Sequence, residues 1–226
     1  MELYRSKGIR MELKVLLVLA VLSFAYGQIL PEKKLPLFAS RTYGSRFPGD
    51  VKEILKIPPV PMPGFNLLSW LGPWFYQYHK APCSWAVSEE FTDYTQITEL
   101  EGTNVINHDT MRNRGVCNSV TSIMSVTGPG EFTGKDLVGN NWSGTLIVVA
   151  TDYKSFSISW GCTKMSVFDN RCEDPYAYVK TRQRKPPARV LRRIEMILRD
   201  IWGISVRQLT RILHGRPCSS GRKKIG

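Results

Sequence analysis

The chain has 226 residues, 42% hydrophobic and 22% charged, with 18 Gly and 14 Pro and a net charge of +12. This length and apolar fraction suffice for the core of one domain or two small ones, and exclude a wholly disordered or collagen-like chain. Residues 1–179 balance 17 basic against 17 acidic side chains, so the whole excess lies in residues 180–226, where 14 basic residues accompany only Glu195 and Asp200. A neutral body with a basic end argues against a surface built for nucleic acid, and leaves contact with an anionic partner open.

In chain order, Met11-Glu12-Leu13-Lys14 leads into the apolar run from Val15 to Leu22, with Ala25 and Gly27 as small residues before Gln28. That pattern predicts a secretory signal peptide over residues 1–27 and an extracellular mature protein. No apolar run approaches the roughly 20 residues a membrane-spanning helix needs, so no transmembrane segment is expected. Residues 28–64 carry seven prolines among scattered charges and read as an extended leader or linker without a core of its own.

From Phe65 onward the texture is all-β: short runs of Val, Ile, Thr, Tyr and Phe separated by Gly, Asn and Asp. Strands are expected at 73–79, 85–95, 104–112, 117–127, 131–138, 144–151, 155–163 and 176–181. Eight consecutive strands joined by turns suggest a barrel or sandwich. After Pro186-Pro187 the period changes. Leu191, Ile194, Leu198 and Ile201 fall at helical spacing, arginines occupy the other faces, and Gly203 marks the end. One amphipathic helix after a run of strands is expected to dock on the sheet. The tail, residues 219–226, is basic and includes Gly221-Arg222-Lys223-Lys224. Asn141-Trp142-Ser143 is a glycan acceptor sequon in a turn-rich stretch, which makes Asn141 a candidate glycosylation site.

The five cysteines are Cys83, Cys117, Cys162, Cys172 and Cys218. In an oxidising compartment disulfides are the default. No CxxC pair occurs, and His79, His108 and His214 lie at unrelated spacings, so no metal or other cofactor is expected.

Three segments resemble the lipocalin family. Leu71-Gly72-Pro73-Trp74-Phe75 is similar to the Gly-x-Trp opening of that family's first strand. Thr151-Asp152-Tyr153 matches its Thr-Asp-Tyr turn, and Ala177 to Arg182 resembles the segment that ends in its motif arginine. Order and spacing agree over residues 57–218, and the Pro58–Phe65 stretch, Pro186-Pro187 and Pro217-Cys218 are similar to the apolipoprotein D-like, invertebrate-type branch. The resemblance implies an eight-stranded up-and-down antiparallel β-barrel over residues 65–218 with one C-terminal α-helix packed on it. Gly72, Trp74, Thr151, Asp152, Tyr153 and Arg182 then become structural residues. Gly72 frees the backbone to turn, Arg182 stacks on the Trp74 indole at the closed end, and Asp152 caps backbone N–H groups. Two positions depart from the pattern: Tyr178 replaces a usual Trp, and Lys180 stands where an apolar residue is expected.

The branch also implies a Cys83–Cys218 disulfide. Cys162 lacks its usual partner before Trp74. A turn centred on Val167 sets it opposite Cys172, with Cys117–Cys162 as the competitor, and Cys117 is otherwise left unpaired. Such a barrel encloses room for one small ligand. The resemblance implies a carrier of a hydrophobic molecule: a fatty acid, sterol, retinoid, carotenoid or bilin. Strand alternation nominates Tyr76, Tyr78, Trp85, Phe91, Phe132, Phe156, Ile158 and Trp160 as cavity-lining. No enzyme activity is expected. The alternatives are a defence or matrix-associated protein binding an anionic surface or glycan through the basic C-terminus, and a thiol-dependent isomerase using the odd cysteine.

Overall fold

The computed structural model describes residues 50–82, 91–138 and 143–218. Helix α1 (Val51–Leu55) and the short helix α2 (Leu67–Trp70) precede β1 (Gly72–Lys80), β2 (Phe91–Glu101), β3 (Asn104–Asn113), β4 (Val116–Gly128) and β5 (Glu131–Val138). Then come β6 (Ser143–Thr151), β7 (Phe156–Cys162), β8 (Pro175–Thr181), helix α3 (Ala188–Trp202) and the two-residue β9 (Thr210–Arg211). Each strand pairs antiparallel with the next, and β1 closes the circle by pairing with both β8 and β2. This is the expected eight-stranded up-and-down barrel with a C-terminal helix. Among the described residues the second strand lies later than expected, at Phe91–Glu101 rather than 85–95. It runs on until Gly102, at φ 59, turns the chain into β3, with Glu101 opposite Asn104.

Two apolar layers result. One fills the barrel: Trp70, Trp74, Tyr76, Tyr94, Phe132, Tyr176 and their neighbours. The other lies outside β7 and β8, where Ile194, Leu198 and Trp202 of α3 bury against Phe156, Ile158, Trp160, Ala177 and Val179. Each large side chain removed from water there contributes about 1.5–3 kcal/mol. Helix α3 begins directly after Pro187 and stops at Gly203, whose φ of 67 is the left-handed conformation of a helix C-terminus.

The last part of the Pro-rich extension is not a free linker. Val51 and Leu55 belong to the outer layer. The Trp160 indole N–H donates to the Leu55 carbonyl at 2.7 Å, Cys172 N–H donates to the Lys56 carbonyl at 2.7 Å, and Met62 N–H donates to the Val148 carbonyl at 2.9 Å. Apolar residues between the prolines, invisible to a composition argument, dock this segment.

The disulfides are Cys162–Cys172, as the hairpin spacing suggested, and Cys117–Cys218. Cys218 is therefore not bonded to Cys83, which lies outside the described residues, and Cys117 is not free. The reason is the path of the chain end. β1 and β2 pair only through Gly72–Phe75 and Thr95–Thr98, and β2 then bulges at Asp93, at φ 54. β9 takes the vacated edge of β1, with Tyr78 opposite Arg211 and His79 opposite Thr210, while Leu213 bridges to Thr92. Ile212, between them, turns into the barrel interior. Past this seam Gly215 N–H donates to Asp93 at 2.7 Å and Arg112 donates to the Arg216 carbonyl at 3.3 Å, which brings Cys218 to the start of β4.

Candidate functional site

At the closed end, α2 stops against β1. Gly72 sits at φ 98, with the Arg182 guanidinium 3.4 Å from where a Cβ would be. Arg182 stacks on the Trp74 indole at 3.6 Å and donates to the carbonyls of Ser69, Trp70, Leu71, Pro73 and Tyr153. Asp152 Oδ1 accepts from the backbone N–H groups of Lys154, Ser155 and Phe156, Thr151 Oγ1 accepts from Tyr153 N–H, and Tyr153 Oη accepts from Asn66 N–H. The bonds of Asp152 to Ser155 and Phe156 and its ion pair with Arg193 hold its carboxyl below the usual range, although burial pushes it up. These groups close the barrel floor.

Above the floor a cavity of about 60 Å³ remains. Of the residues expected to line it, Tyr76 and Phe91 do. Phe132 is inside but lower, stacked on Trp70 at 5.5 Å. Tyr78, Phe156, Ile158 and Trp160 point the other way, into the layer beneath α3. Trp85 and Asn141 lie outside the described residues.

Both errors of facing have physical causes. The register shifts between Tyr76 and Tyr78, so Tyr76 faces inward opposite Lys180 while Tyr78 faces outward opposite Val179. On β7 the helices bury the outer face, so the large apolar residues lie outside and the inward positions are Ser157, Ser159 and Gly161. A Cβ on Gly161 would overlap the Tyr176 ring. The rule that apolar residues face in fails on a strand covered from both sides.

Alternation on these strands did not find Tyr94, Gln96, Asp109, Tyr176, Tyr178 and Lys180, all of which line the cavity. The signal was present at the anomalous Lys180: counting back by two from it gives Tyr178 and Tyr176 on the inward face.

The cavity wall is aromatic with a polar network. Tyr76 and Tyr94 stack at 3.8 Å, and Tyr178 meets Tyr76 edge-on at 4.9 Å. Lys180 Nζ donates to Gln96 Oε1 at 2.9 Å and lies 4.7 Å from the Trp70 ring. Gln96 Nε2 donates to Tyr76 Oη at 3.0 Å and to Asp109 at 3.2 Å, and Tyr76 Oη donates to Asp109 at 3.4 Å. Burial pushes the phenols of Tyr76, Tyr94 and Tyr178 up, so they stay neutral. Burial likewise drives the Asp109 carboxyl up and the Lys180 ammonium down. His79, inward on β1 beside Phe91, is 1% exposed, and neither ring nitrogen has a partner among the described residues. Burial, with Lys80 adding to it, lowers its pKa to about 4.

An eight-stranded antiparallel barrel, closed at one end by a helical turn under a tryptophan–arginine stack and flanked by one helix, is the lipocalin fold. Solved structures bear this out. Lobster apocrustacyanin A1 aligns at TM-score 0.54 and 14% identity, over 71% of this chain and 94% of its own. Per a 4, an allergen from cockroaches, aligns at 0.55 and 15%, over 70% and 94%. A biogenic amine-binding protein aligns at 0.55 and 14%, over 68% and 84%. No family model and no curated protein sequence matches the chain.

Proposed function

We infer that the protein binds a small hydrophobic molecule, flat and bearing a polar group, inside the barrel, and that it works as an extracellular binding protein rather than an enzyme. The observation that carries this reading is the ring-lined cavity with Lys180, Gln96 and Asp109 on its wall. Its volume of about 60 Å³ is well under the roughly 300–1,000 Å³ of pockets for drug-sized ligands. Among the ligand types the fold suggests, it favours the small end over sterols, carotenoids, retinoids or bilins. The amine-binding neighbour supports a ligand of that size. Two disulfides support an oxidising compartment, in keeping with cleavage of residues 1–27 and a glycan on Asn141. The thiol-isomerase alternative loses Cys117 to its bond with Cys218. The likeness to the apolipoprotein D-like branch rests on the lead-in and the Pro186-Pro187 stretch, while the Cys117–Cys218 bond departs from that branch's expected pairing.

A second reading, an anionic partner on the basic end, is favoured by the exposed Arg189 and Arg192 on α3. Titration separates the two. Benzyl alcohol, short fatty acids, retinol and biliverdin are added while tryptophan emission is followed, since Trp70 lies under the cavity. The carrier reading expects quenching by the smaller ligands that persists in high salt, because apolar burial is little screened. Absence of any response, or binding that vanishes with salt, overturns it and moves the anionic-partner reading to first place.

A further inference from the structure

Among the described residues Lys180 contributes the one primary amine to the lining of the cavity, and it is 1% exposed. An ammonium carries three N–H donors. Among the described residues Nζ reaches a single acceptor, Gln96 Oε1, and otherwise faces the rings of Trp70 and Tyr76 at 4.7 and 5.5 Å. The rings favour the charged form modestly. Burial opposes it more strongly, the Arg182 charge works in the same direction as burial, and ionised Asp109 works against it. The amine is thereby held toward its neutral, nucleophilic state. Across Gln96 lies Asp109, also fully within the barrel, whose hydrogen bonds among the described residues are long, at 3.2–3.4 Å, and whose carboxyl burial holds toward the protonated form. A buried amine and a buried carboxylic acid, joined through one amide on the wall of one ring-lined cavity, are the groups that condensation with a carbonyl requires.

We propose that Lys180 captures a small aldehyde as an imine inside the barrel, with Asp109 as the proton donor. This deepens the reading of the cavity as the ligand site by naming the ligand's reactive group. The Nζ lone pair bonds to the carbonyl carbon and one N–H proton passes to the oxygen, giving a carbinolamine. Asp109 then protonates the hydroxyl, the C–O bond breaks, and water leaves. The products are a protonated imine on Lys180 and an Asp109 carboxylate as its counter-ion. No electron is gained or lost. Cavity volume restricts the aldehyde to a few heavy atoms, and a single aromatic ring probes the upper limit of that size.

The test is reductive trapping on the folded protein near neutral pH, with propanal or benzaldehyde at low stoichiometry and cyanoborohydride, followed by peptide mapping. The expected result is an adduct on Lys180 about tenfold or more above the exposed Lys154 and Lys185, a preference that disappears in urea because it comes from the folded environment. Asp109→Asn keeps the amine and removes the acid, and is expected to slow trapping at Lys180 by about a hundredfold. Modification confined to exposed lysines overturns the proposal, and trapping at an unchanged rate in Asp109→Asn overturns the role of Asp109. Benzyl alcohol, which lacks the carbonyl, separates the two inferences in the unmodified protein. If it quenches tryptophan while Lys180 stays unmodified, imine capture alone fails; if neither occurs, the cavity reading fails as well.

Discussion

Arg182 gathers five main-chain carbonyls from the segments that meet at the barrel floor while its plane covers Trp74. A lysine has the charge but not the planar fork, so Arg182→Lys is expected to lose most of this stabilisation. Trp74 is wholly buried and its indole N–H donates to the Trp70 carbonyl at 2.9 Å. Trp74→Ala is expected to cost about 3–5 kcal/mol in urea unfolding, and an unchanged midpoint would remove the floor from the account of stability. His79 adds a pH dependence. It is buried neutral with a pKa of about 4 against 6.5 when unfolded. Below pH 6.5 the unfolded chain binds the proton and the folded one does not, so stability falls as pH drops from 6.5 toward 4. At 1.36 kcal/mol per unit the loss approaches about 3 kcal/mol. Asp109, with its carboxyl raised, acts in the opposite sense, so the check is a difference: His79→Phe should lose less stability than the parent between pH 7 and pH 4.5.

Among the elements, the strands were legible because turn residues and β-branched runs alternate plainly, and α3 because Leu191, Ile194, Leu198 and Ile201 change the period after two prolines. The facing of residues within strands was legible only where the ladder is regular and one side is wet. At Gln77 the ladder slips, and on β7 both sides are dry, so Tyr78 and Trp160 defeated simple alternation. The cavity's polar groups were legible only as an anomaly at Lys180, since nothing local announces that Asp109 and Gln96, from other strands, will meet it. Pairing of Cys117 with Cys218 depended on β9 filling the seam beside β1, a three-dimensional fact with no spacing signature. That bond spans 101 residues and Cys162–Cys172 spans 10. In the chain-entropy account the long loop is worth about 4–5 kcal/mol and the short one about 3. Paired serine substitution at Cys117 and Cys218 is therefore expected to lower the denaturation midpoint more than the same change at Cys162 and Cys172.

For the molecule as a whole, the manner of closing the barrel governs how it can be made. The edge of β1 near its end is covered by β9, and His214 reaches back to the Tyr76 carbonyl across 138 residues of sequence. During synthesis β1 emerges well over a hundred residues before the segment that covers it, so its edge stays unpaired while the other strands are made. Until that segment arrives, the strand carries an open row of backbone donors and acceptors, the kind of edge on which other chains add. Assembly dominated by such distant pairings is slow. A nascent chain stalled or cut before Thr210 would therefore expose that edge permanently. It should be found in aggregates and on chaperones, and restoring the chain through Cys218 should return it to the soluble fraction.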